Sequence, residues 1–195
     1  MIRSVLVVGM LVAFAPSALS AKVAGTTLAE VVASSAIIVL GTDISVEQRG
    51  SWRIARFRVE STLKGDAPDE LFYLASPTWS CDIATAQAGE QALLLLTAPQ
   101  GGSLLRPGPP SRFHGETVYR IAFAGRGRLP LSLIDGETYA TVWSSELQLP
   151  VELSTVIGPE PEFAFIRRTR FEPLQQSIQT MISTSGQSSI QAHHP

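Results

Sequence analysis

The sequence predicts a mainly β protein that is exported, with a short helix near its start and a longer one near its end. Three observations carry this. Apolar and polar residues alternate through 52–63, a β-branched run stands at Ile37-Ile38-Val39, and helical spacing of apolar residues is confined to the neighbourhoods of 28–32 and 174–182. A length of 195 residues suggests one domain, or one domain with an appendage. Charged residues are 16%, hydrophobic residues 45% and the formal charge is −2. An average soluble protein has roughly 25% charged residues. This balance excludes a disordered chain, a coiled coil and a polybasic nucleic-acid binder. The single cysteine excludes an internal disulfide framework and any multi-cysteine zinc or iron–sulfur site.

Residues 1–20 have the three zones of a secretory signal peptide. Arg3 supplies the positive start, Val5 to Ala15 is apolar, and Pro16 to Ser20 is a small-residue stretch. The apolar run is shorter than the roughly 20 residues a membrane span requires. Ala18 and Ser20 place small residues at −3 and −1, which predicts cleavage before Ala21. No cysteine lies near this point to carry a lipid anchor. The alternative is an uncleaved membrane anchor. Cleavage removes Arg3 and takes the formal charge to −3. The expected location is the periplasm or the extracellular space, with no membrane span after cleavage.

Thr27-Leu28-Ala29-Glu30 reads as a capping box, since the Thr27 hydroxyl can accept the N3 amide while Glu30 reaches back to the cap amide. Leu28, Val31 and Val32 follow on one helical face, so a helix is expected over 28–34. Strands are expected over 36–47 and 52–63, joined by a turn at Gln48-Arg49-Gly50-Ser51. Within the second, Ala55, Phe57 and Val59 share one face, and Arg56 and Arg58 the other. Gly65 to Asp69 is a turn, and 70–76 a third strand. Residues 77–90 are irregular and hold Trp79 and Cys81. Gln91 to Ala98 contains four consecutive leucines, Leu93 to Leu96, the mark of a strand buried on both faces.

The segment 99–116 is rich in proline and glycine, which disfavours helices and sheet ladders alike. It is either functional or disordered. Strands resume at 117–123, 129–134 and 139–143, with Asp135-Gly136 as a turn. Pro173 suits the first turn of a helix, and Leu174, Ile178, Met181 and Ile182 form its apolar face. Ser183 to Pro195 is polar, and a disordered tail is expected over 185–195.

This order of elements resembles the OB-fold modules of the tissue-inhibitor-of-metalloproteinases and netrin type, in the form found in exported bacterial proteins. The residues that carry the resemblance are Val39-Leu40-Gly41-Thr42, Val59-Glu60-Ser61-Thr62-Leu63-Lys64-Gly65-Asp66, the loop cysteine Cys81, and Gly89-Glu90-Gln91-Ala92 leading into the leucine run. The resemblance spans about Thr27 to Ala98, extending to Phe123. It implies an OB-like five-stranded barrel over 21–123 with a flanking N-terminal helix. A β-rich extension and the C-terminal helix would then fill 124–184. The animal inhibitors chelate zinc through an N-terminal cysteine, whereas the expected start here is Ala21-Lys22-Val23, so that mechanism has no residue to carry it. Family members also pair the loop cysteine with a later one, and Cys81 has no such partner.

Cys81 has three readings: a free thiol whose partner was lost, an intermolecular disulfide in an oxidising compartment, and a catalytic thiolate. The third needs a nearby base to lower its pKa, and His114 is the one imidazole outside the tail. No Gly-x-Ser-x-Gly elbow is present. His193 and His194 are too few for a zinc site. Arg126-Gly127-Arg128 and Arg167-Arg168-Thr169-Arg170 can bind phosphate or an acidic partner, but read better as solvated faces or salt-bridge partners. No cofactor, metal site or catalytic residue is expected, and no nucleic acid as partner. The functional expectation is a non-enzymatic protein-binding module. It would contact a cell-envelope or secreted protein through the loop holding Trp79 and Cys81, or through 99–116. The alternatives are a protease inhibitor that lacks the terminal-cysteine mechanism, and a thiol enzyme using Cys81.

Overall fold

The computed structural model describes residues 25–75, 86–99, 108–123, 125–143, 147–153 and 166–191. In chain order the elements are β1 (Thr26–Thr27), α1 (Leu28–Ser34), β2 (Ile37–Arg49), β3 (Trp52–Lys64), β4 (Glu70–Leu74), β5 (Gln91–Thr97), β6 (Arg112–Phe113) and β7 (Glu116–Ile121). They continue with β8 (Arg128–Ile134), β9 (Glu137–Trp143), β10 (Leu147–Gln148), a short 3-10 turn (Val151–Leu153), β11 (Ile166–Arg170) and α2 (Phe171–Gln191). The protein is mainly β, with a nine-stranded sheet in the order β11-β9-β8-β5-β2-β3-β4-β7-β6 and two helices. The expected leader, Trp79, Cys81, His193 and His194 lie outside the described residues.

The α1 helix begins as its sequence dictates. The Glu30 amide donates to the Thr27 hydroxyl at 3.2 Å, and the Thr27 amide donates to the Glu30 carboxylate at 2.8 Å. These bonds hold the Glu30 carboxyl below the ordinary range. At the other end Lys64 from β3 donates to the carbonyls of Val32 and Ala33 at 2.7 and 3.2 Å. A cation thus meets the negative end of the helix. Leu28, Val31 and Val32 are buried, as the spacing predicts.

In β3 the period of two holds, with Ala55 and Phe57 buried and Arg56 and Arg58 exposed. The leucine run of β5 is buried on both faces because two separate cores meet there. Leu93 and Leu95 pack with α1, α2, Leu129 and Val142. Leu94 and Leu96 pack with Ile37, Val39, Phe57 and Tyr73.

One edge of β5 pairs with β2, while the other is divided. Ala92 to Leu94 pair with β8, and Leu96 and Thr97 pair with β7. Leu95 is the branch point: its amide donates to Gly127 at 2.7 Å, and its carbonyl accepts the Ala122 amide at 2.9 Å. The succession β5-β2-β3-β4-β7 therefore returns to β5, with β4–β7 its one parallel pairing. Gly127 is required at the branch, since a Cβ there would lie 2.4 Å from the Leu95 carbonyl oxygen.

The Asp135-Gly136 turn between β8 and β9 has φ of 51° and 82°. Two consecutive positive φ values are what a tight two-residue hairpin turn needs. His114-Gly115 repeats this at 51° and 86°, so the last part of 99–116 is ordered as a hairpin, with Arg112 paired to Thr117 and Phe113 to Glu116. Among the strands that periodicity did not reveal, β1 and β10 are two residues each and β11 is dominated by arginine. In α2, Leu174 and Ile178 are buried and Met181 and Ile182 half-buried, as expected. The helix runs on through Gln191, past the start of the polar stretch at Ser183. Hydroxyls of Thr180, Ser183, Thr184 and Ser185 donate to carbonyls four residues back at 2.8–3.0 Å, so these polar side chains are satisfied within the helix.

Candidate functional site

The ring of strands has an apolar interior that ends in a charged cluster. Asp43 on β2, Tyr73 on β4, Glu90 before β5 and Arg128 at the start of β8 converge there. Asp43 and Tyr73 have no exposed surface and Arg128 has 1%. Strand parity puts them inside: Ile37, Val39 and Asp43 alternate on β2, Leu71 precedes Tyr73 on β4, and Arg128 is paired with the inward-facing Leu94. Arg128 Nη2 donates to Asp43 Oδ2 at 3.0 Å and also reaches the Glu90 carboxylate. Arg128 Nε donates to the Tyr73 hydroxyl at 3.1 Å, and that hydroxyl donates to Asp43 Oδ1 at 2.8 Å.

Burial pushes the Asp43 carboxyl up, the Glu90 charge adds to this, and Arg128 and Tyr73 oppose it. Burial also raises the Tyr73 phenol. For Arg128 burial works against the charge, but Tyr73 and Glu90 outweigh it and the guanidinium is held more firmly protonated. The groups satisfy one another, so this cluster offers a lock on four chain segments and no exposed nucleophile.

Of the two readings of Arg126-Gly127-Arg128, a solvated face or salt-bridge partners, the solvated face is overturned and the salt-bridge reading holds for Arg128. Both arginines are buried, because the turn from β7 to β8 crosses the branch point on β5 and aims their side chains inward. Arg126 donates to the Thr26 hydroxyl at 3.0 Å, and Arg128 is the salt-bridge partner just described. In the second cluster Arg167 and Arg170 are exposed, and Arg170 pairs with Glu137 at 3.1 Å.

Two further sets of contacts root neighbouring chain on the ring. The Ala75 amide donates to the Arg53 carbonyl at 2.9 Å, and the Arg53 guanidinium donates to the Ala86 carbonyl at 3.1 Å. Both alanines are buried. Ala75 and Ala86 are therefore both bonded to one residue, and Trp79 and Cys81 fall between them in the sequence. A turn follows in which the Glu90 amide donates to Gln87 at 3.1 Å, and the Glu90 carboxylate accepts the Gln87 amide at 3.3 Å.

The second root is aromatic. Phe113 meets Phe72 edge-on with centroids 5.3 Å apart, His114 lies 4.1 Å from Phe113, and the Arg49 guanidinium stands 4.9 Å from the Phe113 centroid. These contacts fix the hairpin against the β2–β3 turn. His114, the base that a thiolate mechanism would need, is exposed and tilted at 59° against the Phe113 ring. Among the described residues no group of three or more His, Cys, Asp or Glu side chains is placed to hold a metal ion. No helix there is long and apolar enough to cross a membrane. Comparison of the chain with protein-family models and with curated proteins finds no match.

Proposed function

We propose that this protein is an exported, non-enzymatic protein-binding module built on an OB-like five-stranded barrel. The barrel is the succession β5-β2-β3-β4-β7, with β8, β9, β11 and α2 as its extension and C-terminal helix. The pairing order supports this reading, because an OB barrel is a five-stranded Greek key whose third and fifth strands run side by side in parallel. Here those strands are β4 and β7. The observation that carries the binding role is the rooting of 76–85 by Arg53 at both ends. A rigid scaffold that fixes the residues on either side of a segment is how binding loops are held in place. The partner is a protein of the cell envelope or a secreted enzyme, met by Trp79 and its neighbours, with Cys81 available for an intermolecular disulfide.

The test uses the processed protein taken from its native compartment without reductant, with free thiols alkylated at lysis. Intact mass and native size are read together. The reading expects a chain that begins at Ala21 and a stoichiometric protein partner whose association is lost in Trp79→Ala. A lone monomer with alkylated Cys81, or a partner retained in that variant, overturns it.

A further inference from the structure

One guanidinium stands between two carboxylates in the cluster of Asp43, Tyr73, Glu90 and Arg128, and the Asp43 side chain has no access to solvent. We propose that this cluster is an internal proton-binding site, in which Asp43 takes up a proton while the fold stays intact and so decides whether Arg128 is shared or held by Glu90 alone.

The argument is a count of charges in a confined space. With both carboxylates ionised the cluster carries one net negative charge, and a single proton neutralises it. The like charge and the burial both disfavour the second anion. The groups that face Asp43 are Arg128 from β8, Tyr73 from β4 and Glu90 from the turn before β5. Glu90 keeps a side-chain exposure of 28%, whereas Asp43 has none, so water can support the charge on Glu90 and not on Asp43. The proton therefore goes to Asp43.

The sign of the linkage follows. The folded chain binds this proton more tightly than the unfolded chain does. The stability it contributes is complete below the unfolded aspartate value. It is lost as pH rises from there through the higher folded value. A change at Asp43 has a short route outward. The Asp43 amide donates to the Glu90 carbonyl at 2.9 Å, and the Asp43 carbonyl accepts the Gly89 amide at 2.7 Å. The Gln87–Glu90 turn is thus tied to Asp43 by backbone and by Arg128, and it stands directly after the Ala86 root of 76–85.

The test is a carboxyl and amide NMR titration of the full, isotopically labelled chain between about pH 3 and 8, a window that spans the ordinary aspartate value of about 3.9. The proposal expects the Asp43 Cγ signal to titrate above that value, with the Gln87 and Gly89 amides moving at the same midpoint. Arg128→Lys keeps a charge but loses the fork, so the Asp43 midpoint moves further up. An Asp43 midpoint at or below the ordinary value overturns the proposal. So does a pair of amides that ignores Asp43, or loss of the folded spectrum before Asp43 is protonated. The wild-type titration decides the matter even if the Arg128 variant fails to fold.

Discussion

The two faces of β5 are held by different physics. On one face Leu93 and Leu95 meet the helices in an apolar cluster with Leu28, Val31, Leu174 and Ile178. On the other, Leu94 and Leu96 line a second apolar cluster that also takes in Tyr73, whose hydroxyl belongs to the Arg128 ionic group. The apolar face is tolerant in kind: what matters there is filled volume. The ionic end is tolerant of nothing, because a buried charge that loses its partner is far more costly than the pair is favourable. The lesson is that the ring gains a fixed arrangement of four segments at that end, while its cohesion comes from the leucines.

The sharpest way to break this contrast is Arg128→Met. Removal of the cation leaves Asp43 buried and uncompensated, and urea unfolding at neutral pH is expected to show a loss of about 4 kcal/mol. That loss shrinks as pH falls, because the stranded carboxylate can take up a proton. Leu95→Ala on the dry face is expected to lose about 3 kcal/mol by the same assay, with no dependence on pH. If both losses respond to pH alike, the contrast between the faces is wrong. Tyr73→Phe removes only the hydroxyl that links Asp43 to Arg128. A loss of about 2 kcal/mol is expected. Outside both cores, Thr27→Ala removes the α1 cap and is expected to lower stability by about 1 kcal/mol, read as a small shift in the urea midpoint. Smallest is Arg56→Ala, which removes an exposed pair with Glu70 on β3 and β4. Less than about 1 kcal/mol is expected, and added salt should erase it.

Most of the scaffold was legible because it rests on local chemistry. The Thr27–Glu30 cap, the alternation in β3, the double burial of β5 and the Asp135-Gly136 turn each need only a few neighbouring residues. The hairpin at His114-Gly115 was not legible, since a positive φ is uncommon at any non-glycine residue and the surrounding prolines point to a loop. The ionic cluster was harder still. Arg128 is 38, 55 and 85 residues from its partners Glu90, Tyr73 and Asp43, and beside Arg126 it looks like a solvated basic patch. One signal was available. Asp43 falls at the strand parity of Ile37 and Val39, and a lone charge at an inward position demands a partner from elsewhere in the chain. The strands β1 and β10, which pair in parallel as a separate two-stranded sheet, and β11 carry no periodic signal at all, being two residues or mostly arginine.

The strand order ends in β6 on one side and β11 on the other. Within that order the long strands β2 and β3 are interior, with β2 paired to β5 over Ile37–Thr42 and β3 paired to β4 over Ile54–Arg58. Of the two ends that remain, β6 is only two residues long, and β11 has Arg167, Arg168 and Arg170 among its five. Short strands and clustered charge are the features that discourage a second chain from adding to a sheet. These two ends of the nine-stranded order are therefore guarded against the addition of a strand from a second chain, despite a composition that is nearly half hydrophobic.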